Sequence, residues 1–167
     1  PPHQDIPSGQ EWRRGVAVDW SVWPKDTDAV LDTIRRKEKD PRFGWHSARM
    51  RNTGRAYYLQ SKIRVKPGNY YLVRAMAKLE NWPVGNMEKQ PNVTLRVWWR
   101  GKQGWIRKGF ILNKALSQKG EWVLLEQVVK PYPDALFSGV FLLGKDLDGK
   151  TEVWFDNLSF QKIITGK

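Results

Sequence analysis

The sequence predicts an all-β fold, an antiparallel sandwich or barrel, and three observations carry that expectation. From about residue 55 onward, short runs of alternating apolar and polar residues recur, divided by Pro, Gly and Asn turn signals at the spacing of such folds. The chain has 167 residues, which suits one domain with a single core. Hydrophobic residues make up 40% and charged residues 28%, with no apolar run near the roughly 18 residues of a membrane-spanning helix, so neither a disordered polymer nor a helical membrane protein fits.

The elements follow in order. Residues 1–9, PPHQDIPSG, read as an extended leader, 10–163 as the domain and 164–167 as a tail. Within the less regular first 55 residues, DTDAVLDTIRRKEKD (26–40) is the one stretch suited to a short helix, with Asp28 as its cap and Arg and Lys late, where the helix dipole favours them. A charged surface loop is its alternative. AYYLQSKIRV (56–65), the turn KPGN and YYLVRAMAKL (70–79) then read as a hairpin. A long loop (80–91) leads to NVTLRVWWR (92–100), and GKQG turns the chain into WIRKGFIL (105–112). EWVLLEQVVK (121–130), ALFSGVFLL (135–143) beyond PYPD, and TEVWFDNLSFQKI (151–163) beyond KDLDGK complete roughly seven strands.

Period-2 reading assigns faces. In 70–79, Tyr71, Val73, Ala75, Ala77 and Leu79 turn inward and Tyr70, Leu72, Arg74, Met76 and Lys78 outward. In 92–100, Val93, Leu95, Val97 and Trp99 turn inward, against Thr94, Arg96, Trp98 and Arg100. In 56–65 the inward set is Tyr57, Leu59, Ser61, Ile63 and Val65, against Tyr58, Gln60, Lys62 and Arg64. The outer faces thus share basic side chains, amides and flat rings. Composition agrees: 29 Lys and Arg against 17 Asp and Glu give a net charge of +12, a bias toward polyanionic partners, and ten Trp exceed what a core of this size needs. The stretch 35–55 concentrates the charge, with Arg35, Arg36, Lys37, Lys39, Arg42, Arg49, Arg51 and Arg55 against only Glu38 and Asp40. The absence of Cys excludes disulfides, zinc–thiolate sites, iron–sulfur clusters and a Cys nucleophile, and the two His, His3 and His46, are too far apart in sequence to suggest a metal site or triad.

The order of W-S-V-W (Trp20–Trp23), Q-S-K-I-R-V-K-P-G-N-Y-Y (60–71), G-E-W-V (120–123) and the closing T-E-V-W-F-D-N-L-S-F (151–160) resembles the carbohydrate-binding modules with a galactose-binding-like jelly roll, which are appended to xylanases, glucanases and other polysaccharide-degrading enzymes. The resemblance covers about residues 10–163. It implies a two-sheet antiparallel β-sandwich that binds its ligand across the concave face of one sheet or at a loop-built tip. It implies a secreted or cell-surface protein, covalently linked to a catalytic domain and without a membrane partner. It also implies a structural calcium, with Asp156 at the acidic position of the closing strand; where the family begins with an Asn-rich, Phe-Glu segment this chain has S-G-Q-E-W, with Glu11 standing in for the acid. Asp156 as a hydrogen-bonded turn or bulge residue is the alternative. Trp20 and Trp23 are expected to pack, as early Trp residues of the family do.

Sugar binding calls for flat apolar faces against the C–H surface of a pyranose and for amides or charges at its hydroxyls. Trp98 is the leading platform, unless a bulge reverses the register and turns Trp99 outward. Trp105 and Trp82, beside turn signals, add stacking surfaces or cap the core, while Trp122 and Trp154 read as structural. Arg96, Arg100, Arg74, Lys78, Arg64, Gln60 and Tyr58 complete the expected binding set, and the charge favours a uronate- or sulfate-bearing glycan. Hydrolysis is not expected, because no carboxylate pair falls on the ring-bearing face. Two rivals remain open: a jelly-roll polysaccharide lyase with Tyr58 or His46 as base and Arg64 or Arg74 neutralising a uronate, and a nucleic-acid binder, which lacks any RNP-like strand, helix-turn-helix or KH-type loop here.

Overall fold

The computed structural model describes residues 20–23, 30–40, 44–82, 91–114, 116 and 120–164. The described residues form strands β1 (Trp20–Trp23), β2 (Val30–Asp40), β3 (Gly44–Arg64), β4 (Tyr71–Glu80), β5 (Asn92–Gly101), β6 (Gly104–Lys114), β7 (Val123–Val129) and β8 (Phe137–Lys162), with no helix among them. All pairings are antiparallel. The two long strands, β3 and β8, each pass from one layer to the other, so hydrogen bonding is continuous through a two-sheet sandwich. Sheet A runs β2, the first half of β3, the second half of β8, β4, β7. Sheet B runs β1, the second half of β3, the first half of β8, β5, β6. The crossing is marked by a slip in the β3–β8 register, where Arg51 pairs with Glu152 but Thr53 pairs with Leu147. Extra residues on one strand of a pair bend it and sharpen its twist, which is what lets a strand turn this corner.

The core lies between the sheets. Sheet A contributes Met50, Val73, Ala75, Ala77, Leu79, Leu125, Val153 and Phe155, and sheet B contributes Ala56, Tyr58, Val93, Leu95, Val97, Trp99, Val140 and Leu142. On β4 and β5 the inward residues are those that the alternation predicts, and Trp99, 2% exposed, is core.

Four expectations are corrected. Residues 30–40 are a strand, not a helix: β2 pairs with 44–51, and its β-branched Val30, Thr33 and Ile34 suit a ladder whose hydrogen bonds override local helix signals; residues 26–29 lie outside the described residues. Strands 56–65 and 70–79 do not pair as a hairpin, because the turn between them carries the chain from sheet B to sheet A. In that turn Lys66 O accepts the Asn69 N–H at 3.3 Å and Gly68 takes φ 87°. Residues 135–143 and 151–163 do not form separate strands; β8 runs from 137 to 162 through the KDLDGK segment. Finally, β3 has the opposite parity at residues 56–60: Ala56 and Tyr58 point into the core and Tyr57 outward, and a register irregularity between Gln60 and Ile63 returns Ile63 and Val65 to the interior.

Candidate functional site

The outer face of sheet B gathers rings. Antiparallel register sets Trp23 beside Tyr57, Tyr57 beside Leu143 and Leu59 beside Phe141, with Phe141 in turn beside Arg96 and Gly139 beside Trp98. Trp23 stacks on Tyr57 at 5.4 Å and 13°. Tyr57 meets Phe141 edge-on at 5.3 Å, and Phe141 meets Trp98 at 5.1 Å and Trp105 at 5.9 Å. Trp98 and Trp105 are 6.5 Å apart at 66°. Such offset and edge contacts add stability beyond area burial. The ribbon therefore crosses the sheet from β1 to β6. Its ends are its most open parts: Trp23 is 44% and Trp105 38% exposed, while Phe141 is buried beneath them.

Two glycines shape this surface. A Cβ at Gly139 would lie 2.5 Å from Trp105 Cη2 and 2.6 Å from its Cζ3, so the Trp105 ring lies across the bare backbone of β8. At Gly109 a Cβ would sit 1.8 Å from Val97 O. There β6 places three residues opposite Trp98, between the Val97–Phe110 and Trp99–Ile106 pairs. This bulge lies in the partner strand, so β5 keeps its parity, with Trp98 outside and Trp99 inside.

Cations frame the rings. The Arg96 guanidinium lies 5.1 Å from the Trp98 ring centre, a cation–π distance, and its buried Nε has no hydrogen-bond partner among the described residues. Burial, and then the charge of Arg55, hold the Arg96 pKa below its ordinary value, with Tyr57 acting in the opposite direction. Arg100 stands between Phe137 and Trp105 in the ladder, and Arg64 lies beyond Phe137. Among the described residues, Arg49, Arg51, Arg74, Lys78 and Lys145 form ion pairs with acids, and Arg55, Arg64, Arg96 and Arg100 form none.

The expected binding set is therefore divided. Trp98, Trp105, Arg96 and Arg100 share the outer face of sheet B, with Arg64 at its end. Arg74 and Lys78 belong to the opposite outer face, because β4 lies in sheet A: Arg74 Nε donates to Glu126 Oε2 at 2.7 Å, and Lys78 pairs with Glu80 while lying 5.1 Å from Trp122 and 5.4 Å from Trp154. Tyr58 is core, its hydroxyl donating to Arg49 O. Gln60 Oε1 accepts the Lys62 N–H at 3.0 Å and holds the β3 irregularity in place. Trp82 is half-buried against the core. Of the residues named for a lyase, Tyr58 is interior, Arg64 and Arg74 sit on different sheets, and the side chain of His46 lies outside the described residues.

Period-2 reasoning missed Tyr57, Phe141 and Trp23. Trp20 packs on the core as expected, whereas Trp23 does not. The available signal was the Tyr57–Tyr58 pair, one of which had to face outward.

Asp156 accepts the Ser47 hydroxyl at 2.6 Å on one oxygen and the Asn157 N–H at 2.6 Å on the other, and Asn157 has φ 51°. This is the bulge alternative: the β4–β8 register slips here, between the Arg74–Ser159 and Met76–Asp156 pairs. Glu11 lies outside the described residues. Among the described residues no group of three or more His, Asp or Glu gathers around Asp156.

No protein-family model and no curated protein matches the chain. Solved structures do. The enzymatically active domain of tailspike protein 4 from bacteriophage CBA120 superposes with a TM-score of 0.68 at 15% identity, over 87% of this chain and 20% of that one. The CBM22-1 xylan-binding domain of Paenibacillus barcinonensis Xyn10C gives 0.60 at 12% identity over 91% of this chain and 90% of that one. The CBM22-1–GH10 modules of a Clostridium thermocellum xylanase complexed with xylohexaose give 0.60 at 14% identity over 89% and 27%. The chain thus spans a fifth to a quarter of the tailspike and xylanase chains and nearly all of the xylan-binding domain. Agreement over nine-tenths of both chains, together with the two antiparallel sheets found here, establishes that this protein has the jelly-roll fold of carbohydrate-binding modules.

Proposed function

We propose that the protein is a noncatalytic carbohydrate-binding module that holds a polysaccharide across the outer face of sheet B. The observation that carries this reading is the ring ribbon from Trp23 through Tyr57 and Phe141 to Trp98 and Trp105, flanked by arginines that form no ion pair among the described residues. Trp23 and Trp105 offer open faces to the C–H surface of sugar rings, a desolvation that favours binding without any reacting group. Arg96 and Arg100 donate to hydroxyls or, in bidentate geometry, to the carboxylates or sulfates of an acidic glycan. The absence of a carboxylate pair among the described residues of this face argues against glycoside hydrolysis on it. A module of this kind works by tethering: linked to a catalytic domain in a secreted chain, it raises that domain's concentration on a long substrate.

The test is calorimetry and affinity electrophoresis with xylan, a neutral glucan and polygalacturonate, each at two salt concentrations. Binding to any of them that is lost in Trp105→Ala supports the face assignment. Retention by the acidic polymer that falls steeply with salt, beside weak salt-insensitive neutral binding, identifies an anionic ligand, because exposed charges are screened over about 8 Å at physiological ionic strength. Binding unaffected by both Trp98→Ala and Trp105→Ala would remove the ligand from this face.

A further inference from the structure

A separate cleft of about 540 Å³ opens at one end of the sandwich, where the turn between β3 and β4 meets the start and the end of β8. Arg64, Lys66 and Lys162 line it, all exposed, together with the side chains of Asn69, Tyr71 and Phe137. None of the three cations forms an ion pair with an acid among the described residues, whereas Arg74 and Lys78 on the sheet A face each do. The residue Tyr71 is 7% exposed; its hydroxyl accepts the Lys66 N–H at 2.8 Å, and its own proton has no acceptor among the described groups. A buried O–H of that kind seeks an acceptor. The cleft is therefore lined by three cationic residues, an asparagine and a tyrosine whose hydroxyl can still donate, beside the apolar Val65, Leu136 and Phe137.

We propose that this cleft is an oxyanion site for the carboxylate, sulfate ester or phosphate ester of a sugar. Three cationic residues around one cleft, with a neutral donor among them, match the several acceptor oxygens of such a group, and the apolar lining suits the ring that bears it. The site shares Arg64 and Phe137 with the end of the sheet B face, but it is built from the β3–β4 turn and the ends of β3, β4 and β8 and includes none of the rings Trp23, Tyr57, Phe141, Trp98 and Trp105.

The experiment follows backbone amides by NMR at fixed ionic strength, with sodium glucuronate, glucose 6-sulfate and glucose 6-phosphate as probes and glucose as the neutral control. At least one charged sugar should shift the Lys66 and Asn69 amides saturably while glucose leaves them still. Arg64→Gln and Lys162→Gln should each weaken that titration about two- to fivefold, the range of an exposed charge contact. Trp105→Ala should leave it unchanged. The charged sugar that saturates at the lowest concentration identifies the source of the oxyanion. Equal shifts with glucose, insensitivity to both charge variants, or loss of the titration in Trp105→Ala would overturn the proposal; the last would place the anion on sheet B instead.

Discussion

The two outer faces of the sandwich use the same side chains to opposite effect. On sheet A, Arg49 and Arg51 share Glu152, Arg74 meets Glu126, Lys78 meets Glu80, and Trp154 lies under both Arg49 and Lys78. Each of these cations faces a carboxylate of the same chain. On sheet B the rings pack on one another, and Arg55, Arg96 and Arg100 form no ion pair with an acid among the described residues. Tryptophan and arginine alone do not make a binding face. What distinguishes the two is whether carboxylates of the same chain have already answered the charge.

The largest expected effect separates neighbours on one strand. Trp99→Ala should cost about 3–5 kcal/mol, as truncation of a buried Trp does, whereas Trp98→Ala should spare most of the stability and weaken glycan binding. Urea melts beside affinity electrophoresis read both quantities, and equal destabilisation by the two variants would make the ring ribbon a second core. Next comes Gly139→Ala. Its methyl displaces Trp105 from its seat across β8, so glycan affinity should fall about as far as in Trp105→Ala, tenfold or more by analogy with base stacking on aromatic rings. Unchanged affinity in Gly139→Ala would show that the ring's position is immaterial.

These contrasts mark where the sequence was legible. The alternation of 70–79 and 92–100 identified the inward residues of β4 and β5, and with them the opposite fates of Trp98 and Trp99. Alternation distinguishes inside from outside but not one sheet from the other, so it groups Arg74 and Lys78 with Arg96 although a sandwich's thickness separates them. A single irregularity between Gln60 and Ile63 exchanged Tyr57 and Tyr58, because faces alternate with period two and one slip inverts everything on one side of it. Residues 30–40 became a strand through pairing with β3, a partner no local window contains.

Smaller effects sharpen the electrostatic side of the comparison. Folding holds the Arg96 pKa down, chiefly by burial and then through Arg55, so its charged form detracts from stability at every pH below that lowered value, including neutrality. Arg55→Gln should therefore raise the melting temperature slightly, by no more than about 0.5 kcal/mol in stability, while weakening any acidic glycan held on sheet B. A lower melting temperature would mean that Arg55 has a stabilising role outside this account. Smallest of all, Arg74→Ala should change stability by about 0.2–1 kcal/mol, as exposed ion pairs do, and leave glycan retention untouched; a loss of retention would bring sheet A back into the site.

β8 lies at the centre of both sheets, between β3 and β4 in one and between β3 and β5 in the other. It is also the last strand to be synthesised among those described. As the chain leaves a ribosome, the partners of β8 in sheet B wait with open edges and unpaired backbone until residue 145 has emerged, and those in sheet A until residue 162 has. Neither sheet can close before its part of β8 is made, so folding of this domain is a late event that depends on contacts distant in sequence, and that kind of contact slows folding.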